Sequence, residues 1–268
     1  MTDPQALLSV YDEQLRTDAE TPSATSVTRL GPLRLVTFPG GRGFVTYQDL
    51  DGADADEIAD LVAQTVAHYD ADPDIQRVEW KTRGHDVAPG LHDALLAHGF
   101  VEEEAESIML GEAAGLAVDV PLPDGITLRT VSTEPDVRAM AAMEDEAFGD
   151  PVSDRSADAL MHRLGLDDGM ELWVAEHDGQ IVSAGRLEPV PDTEFAGIWG
   201  GATLHAWRGR GIYRALVAHR ARIAADRGCR YLQVDASDQS RPILERLGFA
   251  PLAVTTPYLV NAHRSVPA

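Results

Sequence analysis

A segment rich in glycine and arginine, residues 208–214, is the part of the sequence whose residue types best suit binding chemistry. It reads Arg-Gly-Arg-Gly-Ile-Tyr-Arg and runs directly into an alanine-rich stretch typical of a helix. Residues 208–230 contain seven arginines and a single acid, Asp226, so they carry +6 in a chain whose net charge is −22. Free N–H groups and the positive dipole end at a helix N-terminus bind phosphate oxygens. The segment therefore predicts a phosphate site.

The rest of the chain is acidic, with 44 Asp and Glu residues against 22 Lys and Arg. This balance argues against general binding to nucleic acid or to an anionic membrane, because both require neutralisation of phosphates. It favours a cationic small molecule as a partner. A surface adapted for solubility is the alternative explanation of the same charge.

Compartment and metal chemistry are constrained by what the sequence lacks. A single cysteine, Cys229, excludes an intramolecular disulfide and any metal site built from several cysteines. Residues 1–20 contain early acids and no apolar segment flanked by basic residues, unlike a secretory signal peptide. No run approaches the roughly 20 apolar residues of a membrane span. We therefore expect a cytoplasmic protein that binds neither a metal nor a membrane.

Apolar periodicity predicts alternating helices and strands in two halves of the chain. The first half is predicted to contain helices at 2–15, 54–69 and 89–98 and strands at 33–38, 43–47, 76–82 and 101–110. The second is predicted to contain helices at 134–148, 157–166, 211–227 and 241–247 and strands at 126–131, 170–176, 180–187, 195–204, 230–236 and 250–260. Residues 111–125 are rich in Gly, Ala, Pro and acids and predict the boundary between domains 1–115 and 116–268.

An internal repeat links the two halves. Residues 78–100 and 232–249 share the order strand, loop, short helix and Gly-Phe, and the predicted helices 54–69 and 211–227 precede them at matching places. This pattern indicates two copies of one fold, the first truncated at its N-terminus. A chance match between two generic βαβ segments is the alternative.

The second half, residues 125–260, resembles the GNAT superfamily of acyl-CoA-dependent N-acyltransferases. The family's signature turn is Gln or Arg, two residues, Gly, one residue, then Gly or Ala, and residues 208–213 fit it except for Tyr213 at the last position. The strand before the turn also fits, with His205 where the family often has proline. The ending Leu247-Gly248-Phe249 resembles the family's usual Leu-Gly-Phe.

The resemblance implies a mixed α/β sheet that splays between strands 195–204 and 230–236, with acyl-CoA in the wedge. The backbone of Gly201, Ala202 and Thr203 is then expected to pair with the pantetheine arm. The pyrophosphate is expected at the signature turn, on Arg208, Gly209, Arg210, Gly211, Ile212, Tyr213 and Arg214. Asp238 falls where the family often has an asparagine that touches the cofactor.

The first half resembles the same family only over residues 43–110. Residues 48–54 take the place of the arginine turn there and read Gln-Asp-Leu-Asp-Gly-Ala-Asp. Because carboxylates repel phosphate, we expect no pyrophosphate at this position. The first half is interpreted as a degenerate copy that packs on the active copy or forms one wall of its site.

The catalytic groups usual in the family are missing from this sequence. Gln233 stands where many relatives place a glutamate base, and Leu244 stands where many place a tyrosine acid. Acylation of an amine needs a group that accepts the ammonium proton. Glu188 and Glu194, near the ends of two predicted strands, are the candidate bases, with solvated turn acids as the alternative interpretation.

Three further side chains have structural as well as catalytic interpretations. Asp235 faces either the wedge or an arginine of the preceding helix. His205 is either a base or a hydrogen-bonding residue of the turn. Tyr258 is either an acid for the leaving thiolate or part of the core.

The resemblance implies a tandem GNAT-like protein that transfers the acetyl group of acetyl-CoA to a primary amine of a small, cationic molecule by direct attack on the thioester. Two alternatives stay open: a noncatalytic acyl-CoA-binding or sensor module, and an acetyltransferase for protein N-termini or lysines. The sequence does not distinguish a monomer from a homodimer.

Overall fold

A computed structural model of the chain describes residues 3–262, and these fold as two compact units. The first unit takes in the described residues up to Ile108 and those from Leu252 onward, and the second is Met109–Pro251. The termini of the predicted domains, and Thr2 at the predicted start of the first helix, lie outside the described residues.

The first unit contains three helices and a mixed sheet over the residues described. The helices are α1 (Pro4–Leu15), α2 (Ala55–Asp70) and α3 (Leu91–Ala97). The strands are β1 (Ser26–Leu30), β2 (Leu33–Phe38), β3 (Arg42–Thr46), β4 (Arg77–Arg83), β5 (Val101–Glu102) and the last strand of the chain, Ala250–Asn261. Strand β3 runs parallel to β4, and α2 connects them as a crossover. Strands β2 and β3 pair antiparallel as a hairpin.

An apolar cluster and a charged cluster stabilise this unit. Trp80 and Tyr47 pack edge to face in the apolar cluster, with α2 contributing Ile58 and Val62. In the charged cluster, Glu20 contacts Arg34, Arg83 and the Thr46 hydroxyl. Burial disfavours the ionised Glu20, but these cations and the hydroxyl outweigh it and lower its pKa.

The second unit contains five helices and a six-stranded mixed sheet. Its helices are α4 (Ala113–Leu116), α5 (Glu134–Phe148), α6 (Asp154–Leu164), α7 (Ile212–Asp226) and α8 (Arg241–Leu247). Its strands are β6 (Glu106–Glu112), β7 (Ile126–Val131), β8 (Glu171–His177), β9 (Gln180–Pro189), β10 (Phe195–Thr203) and β11 (Tyr231–Ala236). They are ordered β6-β11-β10-β9-β8-β7, and β10 and β11 are parallel. The last strand, Ala250–Asn261, is β12.

Side-chain alternation along the strands gives the second sheet two different faces. Ala184 and Ala202 lie in a cluster with Met140 of α5 and Leu160 of α6. The other face is covered by α7 and α8, which pack on Leu187, Ala196, Ile198, Leu232 and Val234. Residues 186, 188, 197 and 199 therefore point toward the α5 side of the sheet.

Some elements differ from the prediction. Strand β1 was not among the predicted elements, because its mostly exposed side chains carry no apolar signal. The predicted strand 101–110 is two strands, β5 and β6. Residues from Leu252 onward are grouped with the first unit rather than with residues 116–251, because Thr255–Asn261 pairs with Arg83–Arg77 of β4.

Among the residues described, the helices are too short or too polar to cross a lipid bilayer.

Candidate active site

The sheet of the second unit opens between β10 and β11. Their parallel pairing consists of three residue pairs and ends at Gly197 opposite Gln233, although β10 continues to Thr203. On its other edge, β10 stays paired with β9, and that register shifts between Trp199 and Ala202. The predicted splay is confirmed. The β11-facing edge of β10 beyond Gly197 offers backbone groups to a ligand in the resulting wedge.

The turn after β10 leads into a helix N-terminus without a side-chain cap. Gly209 and Gly211 have φ of +76° and +85°, and a Cβ at either would meet no heavy atom within 4 Å. These positions therefore favour glycine for its backbone conformation rather than for close packing. Gly211 is the N-cap of α7 and makes no side-chain cap. The N–H groups of the first turn of α7 have no helical acceptor, which fits a phosphate.

The three arginines of the turn have different surroundings. Arg208 donates from Nε to the Thr203 carbonyl (3.0 Å) and from Nη2 to the Ala147 carbonyl (2.8 Å), so it fastens the turn to β10 and α5. Arg210 stacks on Trp207, with Cζ 4.6 Å from the ring centroid. Arg214 is exposed in the first turn of α7. Arg210 and Arg214 are the arginines placed to pair with a phosphate.

Tyr213, which departs from the signature, lies against β10. A Cβ on Gly201 would stand 2.7 Å from Cε2 of the Tyr213 ring, so glycine at 201 makes room for it. Burial raises the pKa of the Tyr213 phenol, which therefore stays protonated at neutral pH. Ile212 beside it is buried, so only its backbone faces the turn.

Glu144, a residue not singled out from the sequence, lies at the irregular part of β10. It projects from α5 and is 8% exposed, and its buried Oε1 has no hydrogen-bond partner. A Cβ on Gly200 would stand 2.9 Å from this oxygen, and Gly200 has a φ of +60°. Burial raises the pKa of the Glu144 carboxyl to about 7, against the opposing effect of Arg186. A carboxyl with this pKa is suited to general-base catalysis near neutral pH.

Two arginines lie near Glu144. Arg186 of β9 has its Cζ 3.9 Å from the Cβ position of Gly200. Arg220 of α7 is 1% exposed and donates from Nη1 to the Arg186 carbonyl (2.8 Å), and burial lowers its pKa to about 10. Both cations favour the ionised form of Glu144.

The two candidate bases from the sequence are both ion-paired. Glu188 pairs through one oxygen with Arg186 Nε (3.1 Å) and through the other with Arg163 Nη2 (3.3 Å). Glu194 precedes β10 at the closed end of the wedge and pairs with Arg230 (3.3 Å). At about 3.3 Å per residue, Glu194 lies roughly 20 Å from Gly200 along the strand. Glu188 stands opposite Gly197 of β10, beside the opening, but both of its oxygens contact guanidinium groups, whereas Oε1 of Glu144 has no partner.

The remaining residues singled out from the sequence lie in different surroundings. Gln233 is buried and donates to Asp235 (2.8 Å), and Leu244 is fully buried in the core. Asp238 is exposed in the loop after β11. His205 lies in the short helical turn before Arg208 and is exposed. In the first unit, Tyr258 hydrogen-bonds to His92 (2.8 Å).

In the first unit the corresponding helix, α2, has its N-terminal N–H donors occupied by side chains and so does not offer them to a phosphate. Asp54 accepts from the N–H groups of Asp56 and Glu57 (both 3.0 Å), and the Glu57 side chain accepts from the Asp54 N–H (2.9 Å). This capping box satisfies the donors that α7 leaves free. The two units therefore differ at the N-terminus of this helix, where α7 leaves its N–H groups free and α2 does not.

Within residues 3–262, no group of three or more His, Cys, Asp or Glu side chains is arranged to hold a metal ion.

Comparison with known proteins gives one family match. Residues 137–249 match the model of the acetyltransferase (GNAT) family. This range includes β10, the turn, α7 and Glu144. A search of curated proteins found no significant match.

Solved structures show the same fold at low sequence identity. A GCN5-related N-acetyltransferase from Kribbella flavida aligns with a TM-score of 0.65 and 17% identity over 98% of this chain and 95% of that one. A GCN5-related N-acetyltransferase from Sphaerobacter thermophilus aligns with a TM-score of 0.60 and 18% identity over 91% and 85%. A tandem GNAT protein from the clavulanic acid biosynthesis pathway aligns with a TM-score of 0.60 and 15% identity over 87% and 79%.

Proposed function

Because residues 137–249 form a domain of the GNAT acetyltransferase family, we propose that this chain is an N-acetyltransferase that uses acetyl-CoA to acylate a primary amine of a small molecule. One observation carries the proposal. The pairing of β10 with β11 ends at Gly197, and β10 then leads into the uncapped N-terminus of α7. A thioester with a long arm and a pyrophosphate requires this combination of an open strand edge and free helix donors.

The residues of the turn fit the phosphate end of acyl-CoA. The N–H groups of the first turn of α7 hold the pyrophosphate, and Arg210 and Arg214 add charge-assisted hydrogen bonds. Arg208 acts through the backbone by holding the turn to Thr203 and Ala147. The backbone of Gly201, Ala202 and Thr203 pairs with the arm. When bound, acyl-CoA supplies the activated acyl group.

Glu144 is the base of the proposed reaction. It accepts a proton from the substrate ammonium, which leaves the amine lone pair free to attack the acyl carbon. As the new carbon–nitrogen bond forms and the carbon–sulfur bond breaks, the nitrogen loses its second proton to water and the leaving thiolate gains a proton. Tyr213, a protonated phenol beside Gly201, is the group of this chain that supplies that proton. Unpaired N–H groups of β10 stabilise the charge that develops on the acyl oxygen.

The test of cofactor binding uses two glycines of the same helix. Gly211→Asp places a carboxylate at the N-terminus of α7, whereas Gly228→Asp places one just beyond its C-terminus. Both glycines have a φ of +85°, and a Cβ at either meets no heavy atom within 4 Å, so the backbone strain is matched. We expect Gly211→Asp to weaken acetyl-CoA binding by at least about 30-fold in calorimetry, because it removes charge-assisted contacts and adds repulsion. Equal affinities of the two variants would overturn the proposal.

A noncatalytic acyl-CoA-binding module is the second candidate. It is favoured by Gln233 and Leu244, which cannot transfer a proton in place of the family's usual residues. Thiol release from acetyl-CoA with a broad panel of small amines and N-terminal or lysine peptides separates the candidates. Binding without release for every acceptor would favour the module.

A further inference from the structure

Arg186 lies at the proposed active site with most of its donors unused. Its Nε is 3.1 Å from Glu188 Oε1, close enough for an ion pair but not aligned as a hydrogen bond. Among residues 3–262, neither of its Nη groups has a protein acceptor within hydrogen-bonding geometry, and its side chain is 28% exposed. A guanidinium that is partly open to solvent and keeps its terminal donors free is available to a ligand.

Glu188, the carboxylate next to Arg186, is shared with a second arginine. Glu188 also contacts Arg163 through its other oxygen, at 3.3 Å, so two guanidinium groups share one carboxylate. Arg163 has a second acid of its own, Asp168, with which it forms an ion pair. Arg186 therefore does not have Glu188 to itself, and its other acidic neighbour is Glu144.

Arg186 and Glu144 border the same point of β10. The Cβ position of Gly200 is 2.9 Å from Glu144 Oε1 and 3.9 Å from Arg186 Cζ. A ligand that reaches this part of the strand lies beside the Glu144 carboxyl, whose buried Oε1 has no partner, and a guanidinium with free donors. A simple cationic amine would satisfy the first group and be repelled by the second.

We propose that the acceptor is an amine that also carries a carboxylate, as in an amino acid, and that Arg186 binds this carboxylate while Glu144 receives the proton of the ammonium. This inference rests on the proposed function. The planar guanidinium matches the two oxygens of a carboxylate. A dianionic phosphate fits less well, because Glu144 and Glu188 both flank the guanidinium. The net charge of −22 favours any cationic acceptor, but the local chemistry selects a zwitterion.

The experiment compares each amino acid with its own carboxamide. The twenty proteinogenic L-amino acids and their α-carboxamides are tested with the full chain, first by calorimetric binding without acetyl-CoA and then by thiol release with it. The amide keeps the amine and side chain but removes the negative charge. We expect at least one acid to exceed its amide by about ten- to a hundredfold in both affinity and kcat/KM, the range for a hydrogen-bonded charge.

The variant Arg186→Gln tests the assignment of this preference to one residue. It removes the charge, and the ratio of acid to amide is expected to fall to near one. A purely structural or pKa-tuning role of Arg186 would lower both rates and leave the ratio unchanged. Arg138→Gln, on the exposed side of α5 where Arg138 pairs with Glu134 and Asp154, is the matched control and keeps the ratio.

The outcomes separate this inference from the proposed function. If acetyl-CoA binds but amides or simple amines react as well as the acids, or no acid binds, the inference is overturned and the acyltransferase proposal stands. Survival of the acid preference in Arg186→Gln also overturns it. Failure of the wild-type chain to bind acetyl-CoA defeats the proposed function instead.

Discussion

Oε1 of Glu144 lies directly over Gly200, so that a Cβ at position 200 would stand 2.9 Å from it. Gly200 has a φ of +60° and lies where the register between β9 and β10 shifts. The same residue thus bends the strand and leaves space for the buried carboxyl of a different element. Glycine satisfies both requirements, because it has no side chain and tolerates a positive φ.

Gly200→Ala is expected to displace the Glu144 carboxyl. We expect kcat for acetyl transfer to fall by about a hundredfold or more, because small misplacements of a catalytic group have effects of this size. Gly179→Ala is the control, since Gly179 also has a positive φ (+81°) but a Cβ there meets nothing within 4 Å. Steady-state kinetics of both variants give the measurement. Equal losses in the two would show that backbone strain, and not contact with Glu144, is responsible.

Acetyl transfer is expected to rise with pH and to level off above about pH 7, because Glu144 accepts a proton only when ionised and burial raises its pKa to about 7. The charged groups around it are Arg186 of β9, Arg220 of α7 and Asp145 of its own helix. Glu144→Gln should reduce kcat by about a hundredfold or more and remove this ascending limb. A pH–rate profile for kcat/KM of both proteins is the measurement, and an unchanged limb in the variant would assign the base to another group.

Glu144 is also expected to make the folded state less stable as pH rises. Its pKa is about 7 in the folded state, against 4.5 for an ordinary glutamate, so the folded state binds more protons between these two pH values. The contribution of Glu144 to the free energy of unfolding is therefore most favourable below about pH 4.5. It falls by about 3 kcal/mol in total as the pH rises to 7. In urea unfolding at pH 5 and pH 8, Glu144→Gln should gain stability relative to wild type at the higher pH. An identical pH dependence of the two proteins would contradict this.

Gly201 and Tyr213 are expected to be energetically coupled. Gly201→Ala brings a methyl group within 2.7 Å of the Tyr213 ring and should cost about 1–3 kcal/mol. In a Tyr213→Ala background this collision is absent, so the cost of Gly201→Ala should largely disappear. A double-mutant cycle of unfolding free energies measures the coupling. Additive effects would mean that the ring does not occupy the space above Gly201.

Glu20 is expected to matter strongly for the stability of the first unit. Glu20→Ala removes the carboxylate that Arg34 and Arg83 contact, both of which are 3% exposed. Removing one partner of a buried ion pair costs about 3–5 kcal/mol. Asp18→Asn is the comparison, because Asp18 is 73% exposed, pairs with Arg29 on the surface and reaches Arg34 only at 3.9 Å. Chemical denaturation followed by Trp fluorescence should show a large loss for the first variant and about 1 kcal/mol or less for the second.

Local sequence patterns were sufficient for most helices and strands. Helix α5 has the predicted bounds, and the repeated order of strand, crossover helix and parallel strand is present in both units. Strand β1 was not predicted, because its exposed side chains show no apolar alternation. The grouping of β12 with the first unit depends on long-range pairing with β4, which leaves no local signal.

The candidate active site was also only partly predictable from local sequence. The arginine turn was recognisable because a phosphate site at a helix N-terminus is built from consecutive residues, and the absent cap at Gly211 agrees with it. Glu144 was not recognisable, because in the sequence it is one acid of Met143-Glu144-Asp145-Glu146 on an acidic helix. Nothing local distinguishes it from Glu146, which is exposed.

The sequence alone determined the two-copy α/β organisation, the GNAT resemblance and the turn expected to hold the cofactor, because each depends on residues that are neighbours in the chain. Only the tertiary structure showed which acid lies at the opening of the sheet and which arginine faces it. Burial raises the pKa of Glu144, and the missing side chain of Gly200 leaves room for its carboxyl near Arg186 of β9, 42 positions away in the chain. Desolvation and proximity of this kind arise from packing between distant elements.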